Sequence, residues 1–135
     1  MIAAPRCSAA RDMLRLDGHA VCLVGIYRKK WETLTMPRPG RLAPDPEFRG
    51  YVAIELEGSP EDYDSTLDPG SPTLVQLGLD RRPPEEIERF LGKPVQVQGR
   101  LVIDADRFLP EEALERARPS AMPVLVEPGA VAESR

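Results

Sequence analysis

Six cations, Arg28, Lys29, Lys30, Arg38, Arg41 and Arg49, fall within residues 28–49 beside three anions, Glu32, Asp45 and Glu47, so the stretch is locally about +3. Tyr27, Trp31, Phe48 and Tyr51 interleave with these charges. Such a mixture suits a single-stranded nucleic acid, because arginines and lysines track phosphates while aromatic rings stack bases, each stacked base contributing roughly 1 to 3 kcal/mol. The candidate contact residues on this reading are Arg28, Lys30, Trp31, Arg38, Arg41, Arg49 and Tyr51. Two features pull against it. Lysine and arginine on the outer face of a strand also serve as plain edge protection, and Tyr27 shares a face with Val21 and Leu23, which makes it a core residue.

The opposite charge collects just downstream. Glu55, Glu57, Glu61, Asp62, Asp64 and Asp68 have no cation among them from Glu55 through Gly70. Asp62-Tyr63-Asp64 with Asp68 offers the hard oxygens that calcium favours, but the central glycine and distal bidentate glutamate of a calcium-binding loop are missing. A solvated acidic loop is the reading. No cofactor and no metal is expected, since His19 is the single histidine and two cysteines cannot complete a four-ligand zinc site without help.

Catalysis finds little to work with. Neither a G-x-S-x-G elbow nor a Walker A glycine loop occurs, and nothing sets a nucleophile beside a base, so the chain is read as a non-enzyme. His19 follows a turn and reads as a solvated or capping residue. Cys7 stands in a polar segment and Cys22 in an apolar run; they read as idle thiols, with a disulfide between them left open.

The whole chain holds 135 residues with a net charge of -4, one domain's worth of core and a surface that repels polyanions in bulk. Hydrophobic residues make up 41% and charged residues 30%, a globular balance. Its 15 prolines, roughly twice the average frequency, call for long loops. No run approaches the roughly 20 apolar residues of a membrane span, and the start lacks a signal peptide's apolar stretch, so a cytoplasmic location is expected.

Five strands and one good helix must position the candidates. The first strand covers His19 to Tyr27 and continues through Trp31; the second, Tyr51 to Leu56, alternates with Val52, Ile54 and Leu56 inward and Tyr51, Ala53 and Glu55 outward. Between them four prolines and a glycine from Thr35 to Pro46 forbid a helix. The third strand, Thr73 to Leu79, points Val75, Leu77 and Leu79 inward. Pro83 to Gly92 reads as a helix, with proline at its start, Glu85 and Glu86 in the first turn, an apolar face of Ile87, Phe90 and Leu91, and a glycine stop. The fourth strand, Pro94 to Ile103, buries Val95, Val97, Leu101 and Ile103. A weakly amphipathic stretch, Pro110 to Ala117, precedes a fifth strand, Met122 to Glu127. Residues 1–16 read as an N-terminal extension frayed before about Arg11, residues 17–128 as the barrel domain, and residues 129–135 as a flexible tail.

This order, strand, strand, strand, helix, strand, strand, resembles the OB-fold, a five-stranded Greek-key barrel. Val21-Cys22-Leu23-Val24-Gly25-Ile26-Tyr27 and Val95-Gln96-Val97-Gln98-Gly99-Arg100-Leu101 share a V-x-[LV]-x-G-x-apolar pattern that looks like strands one and four of such domains. Phe90-Leu91-Gly92-Lys93-Pro94 is similar to the end of the helix that plugs one mouth of the barrel. The resemblance implies an all-β OB-like barrel (β-β-β-α-β-β) with one short capping helix and a helical insertion before the last strand. The resemblance alone assigns no ligand. Because the distinctive sequence lies in the proline-rich loop and the insertion, the expected function is a binding module whose partner, a protein or a second copy of the chain, meets those loops, with an oligonucleotide as the alternative.

Overall fold

In the computed structural model, residues 4–31, 50–64, 70–78, 82–103 and 123–134 are described. The strands are β1 (Arg6–Cys7), β2 (Ala20–Trp31), β3 (Gly50–Leu56), β4 (Thr73–Leu77), β5 (Pro94–Val102), β6 (Val124–Val126) and β7 (Ala132–Glu133). Two short α-helices, α1 (Met13–Leu16) and α2 (Pro84–Phe90), and two 3-10 turns are the other elements among the described residues. No helix among the described residues is long and apolar enough to cross a membrane.

Strands β2 through β6 close into a barrel. The sheet order is β1-β2-β3-β4-β6-β5-β7, and an additional β2–β5 pairing joins the two sides. All contacts around the ring are antiparallel except β4 with β6, which is parallel. At the level of topology this agrees with an OB-like barrel. Strand β2 carries the closure because it is long enough to pair with β5 over Ala20–Ile26 and with β3 over Ile26–Trp31.

Period-two alternation fills the interior as expected. Val21, Leu23, Tyr27, Val52, Ile54, Leu56, Val75, Leu77, Val95, Val97, Leu101 and Leu125 are all buried in one cluster. The two mid-strand glycines sit where strands press together. A Cβ on Gly25 would collide with the Glu55 carbonyl and come within 2.8 Å of Ile54 Cγ2; one on Gly99 would stand 2.7 Å from Leu125 Cγ and 2.9 Å from the Val126 carbonyl. Neither glycine has a positive φ, so space and not backbone conformation is the reason for glycine at both. Packing also extends outside the barrel. Ala53, Gln76, Val124 and Val102 are successive register partners on the outward face of β3, β4, β6 and β5, and each is buried.

Three expectations are corrected. Residues from Arg6 to Ala10 are not frayed: β1 pairs in parallel with β2, and Cys7, Ala9, Ala10, Met13 and Leu16 are buried. The α1 segment packs Met13 and Leu16 onto the barrel core, and Asp17 Oδ1 accepts a hydrogen bond from the Ile103 amide. Residues from Gly129 to Ser134 do not leave the sheet either, because β7 pairs with Val95 and Gln96 and the Gly129 and Ser134 amides bond to the Gln98 and Pro94 carbonyls. Leu91, assigned to the apolar face of the helix, is 51% exposed. The helix ends one residue earlier, at Phe90, so helical spacing no longer sets the direction of Leu91; Gly92 follows with φ +79, completing the turn into β5.

Leu79, the end of the third expected strand, and the stretch Pro110–Ala117 lie outside the described residues, as does the proline-rich stretch from Thr35 to Pro46.

Candidate functional site

Val21, Leu23 and Tyr27 of β2 are buried in the barrel, so Arg28 and Lys30, at the alternate positions, lie on the outward face. Lys30 stands opposite Tyr51 in the β2–β3 register, and Arg28 opposite Ala53. Arg28, Lys30 and Tyr51 therefore share one outward strip near the end of the hairpin, all three half-buried. Trp31 ends β2 opposite Gly50. Arg38, Arg41 and Arg49 lie outside the described residues, so the full seven-residue cluster is not assembled in view.

Glu55 alters the electrostatics of that strip. Its carboxylate approaches the Arg28 guanidinium, Nη2 to Oε2, at 3.6 Å, with side chains 42% and 30% exposed. One of the three placed candidates is thus partly neutralised. Alternation along the second strand already set Glu55 on the face of Tyr51; counting it with the acidic stretch downstream hid its nearness to Arg28. The remaining acids go elsewhere. Glu57, Glu61 and Asp62 are exposed after the far end of β3, and no group of three or more His, Cys, Asp or Glu among the described residues is placed to hold a metal.

A second polar cluster was not anticipated. The Tyr27 hydroxyl donates to Glu86 Oε2 at 2.8 Å, while Arg82 donates through Nε to Oε2 at 2.8 Å and through Nη2 to Oε1 at 2.7 Å. Arg82 and Glu86 side chains are only 18% and 13% exposed. Arg82 stands two residues before α2, and its four-residue separation from Glu86 was the available signal. Burial pushes the Glu86 carboxyl up, but the Arg82 and Tyr27 hydrogen bonds and the Arg82 charge outweigh it and hold it below the ordinary carboxylate value. The Tyr27 phenol is pushed up by burial and by the facing carboxylate. An ionised carboxylate already accepting three hydrogen bonds is a poor general base. The cluster instead fastens α2 over the barrel, where Phe90 adds a ring contact with Tyr27 at 6.2 Å between centroids.

The remaining chemistry-bearing side chains are dispersed. His19 is exposed, and its backbone pairs with Leu16 and Leu101. Cys7 and Cys22 are both free. Cys7 pairs with Leu23 and Cys22 with Arg6, so the two thiols project to opposite faces of neighbouring strands, against a bridge.

The chain matches no protein-family model, no curated protein and no solved structure.

Proposed function

We propose that the chain is a non-catalytic, cytoplasmic binding module built on an OB-like barrel, which recognises a protein partner through its proline-rich connection and the insertion between β5 and β6. The observation that supports it most is the closed ring itself. Five strands close on one another and β1 and β7 cover the edges of β2 and β5 that the ring leaves, so the long connections between Trp31 and Gly50 and between Val102 and Val124 are the parts left to carry specificity. Net acidity and sparse aromatics argue against a general polyanion binder. Deleting residues 36–47 tests the reading. The shortened chain should melt cooperatively near the parent temperature and lose the partner that the parent captures from its native host; unchanged capture would overturn it.

One arrangement favours a second reading, a single-stranded oligonucleotide. Lys30 faces Tyr51 on the neighbouring strand with Arg28 on the same strip, a cation and an aromatic ring side by side next to the connection between the first two barrel strands, one of the loops that OB domains use for oligonucleotides. Oligonucleotide titrations at low salt, followed by Trp31 fluorescence, decide it. Binding through this strip should weaken with salt by a slope of about 0.7 for each phosphate neutralised, and weaken in Lys30→Ala and Tyr51→Ala. No quenching at low salt would remove this reading.

A further inference from the structure

The edge of β5 changes its covering halfway along. From Arg100 to Val102 it pairs with β6, whose three side chains are buried. From Pro94 to Gln98 it is covered by the segment that follows, through β7 paired with Val95 and Gln96, the Gly129 amide on the Gln98 carbonyl at 2.8 Å, and the Ser134 amide on the Pro94 carbonyl at 3.0 Å. Burial stops at the junction. No side chain from Glu127 to Ser134 is buried; Val131 is partly buried against the core, and Lys93 and Glu133 form an ion pair at 3.7 Å between side chains 54% and 59% exposed. Backbone hydrogen bonds at a barrel edge hold this segment, with little apolar anchoring, so it belongs to the first parts of the fold to open.

The junction is strained as well. Glu127 has φ +51 and is the one non-glycine residue with a positive φ among the described residues. It also precedes Pro128, a position that favours extended backbone. Folding the segment back onto its own barrel demands this conformation, whereas an extended Glu127 would carry residues 128–134 away from it.

We propose that the β5 edge from Pro94 to Gln98 is a strand-acceptor site, and that a second copy of this chain fills it by reciprocal exchange of residues 128–134. The occupant is argued from what already sits there. The same residues from a second copy make the same hydrogen bonds, the same Val131 contact and the same Lys93–Glu133 pair, and only the junction changes, from strained to extended. Exchange of an identical element conserves every contact but the hinge, so hinge strain and protein concentration set the balance. A released segment otherwise leaves the β5 edge open to pairing with foreign strands.

Two experiments on the full chain test this. First, chains bearing Gln96→Cys are mixed at high concentration with chains bearing Ala132→Cys, then oxidised and mapped by peptide mass. Residues 96 and 132 are register partners, and neither variant holds both new thiols, so a 96–132 disulfide joins two chains. Random collision of these exposed thiols gives 96–96 and 132–132 links as well, and only exchange makes the 96–132 link dominate over them. A 96–132 heterodimer in clear excess of the two homodimers is expected; a 96–132 link no more abundant than the 96–96 and 132–132 links overturns the proposal. Second, Glu127→Pro forbids the positive φ, while Glu127→Gly permits it without strain. Light scattering after size exclusion should show Glu127→Pro dimerising about tenfold or more tightly than the parent, and Glu127→Gly no more tightly. A folded Glu127→Pro chain that stays monomeric overturns the proposal, and if that variant does not fold, the crosslinking result alone decides.

Discussion

The Tyr27 hydroxyl, at the end of a run of inward β2 side chains, donates a 2.8 Å hydrogen bond to Glu86, 59 residues further along the chain on α2. It is a polar tip on a fully buried ring, and it joins the barrel to its helix through a carboxylate that Arg82 holds from the other side. Tyr27→Phe should therefore cost about 1 to 2 kcal/mol in urea melts, less than a lone buried acceptor would, because Arg82 still satisfies Glu86.

The same carboxylate makes stability depend on acid. Its folded value lies below the ordinary 4.5, so its contribution is complete above that value and is lost as pH falls through the lower folded one. Glu86→Gln should be less stable than the parent at neutral pH by a constant margin, and that margin should shrink once pH drops below about 4.5. Paired denaturant melts across the acid range check this; a margin that widens in acid would contradict the sign.

The two crowded glycines should rank in a definite order. At Gly25 an added methyl meets the Glu55 backbone carbonyl, which cannot turn aside, whereas at Gly99 its nearest obstacle is the Leu125 side chain. Gly25→Ala is expected to cost about 3 kcal/mol or more and Gly99→Ala about 1 to 3, with Gly99→Val worse than Gly99→Ala despite valine's strand propensity. Tyr51→Val on the outward face serves as the control and should cost less than any of them. Equal stability of Gly99→Val and parent would mean that the strands can separate there.

Met13 tests the N-terminal segment. It is fully buried in the core cluster, while Leu14 beside it is 60% exposed. Met13→Ala should lose about 2 to 5 kcal/mol by leaving a cavity, and Leu14→Ala should stay within about 0.5 kcal/mol. Thermal melts of the two variants separate a packed segment from a loosely attached one.

The thiols should differ in rate. Burial pushes Cys7 up to about 11, helped by the Asp12 charge and opposed by Arg15, and its side chain has no exposed surface. Cys22 is half-buried on the outward face. A disulfide-forming reagent should modify Cys22 in the native chain and reach Cys7 only at the rate of unfolding. Mass mapping of the modified peptides distinguishes them, and fast labelling of Cys7 would contradict the packing of β1.

The amino-acid sequence by itself determined the ring of β2 to β6 and the place of α2. Period-two runs such as Val52, Ile54, Leu56 and Val95, Val97, Leu101 are local signals; Pro84 opens the helix segment by fixing its own φ, and Gly92 closes it by taking a left-handed φ of +79 that other residues avoid. The need for glycine at positions 25 and 99 was legible too, although the obstructing atoms belong to Glu55 and Leu125 in other strands. Only the tertiary structure decided the rest. Arg6–Cys7 is a two-residue strand with no periodicity to read; it exists because the β2 edge offers the Pro5 carbonyl a Cys22 amide at 2.8 Å. Residues 132–133 are held in the same way by β5. Arg28 met Glu55, and Tyr27 met Glu86, through strand register and helix placement, which set neighbours by hydrogen-bond pairing across the sheet and not by distance along the chain. Local pattern specifies which face a side chain takes; which partner waits on that face is fixed only when the barrel closes.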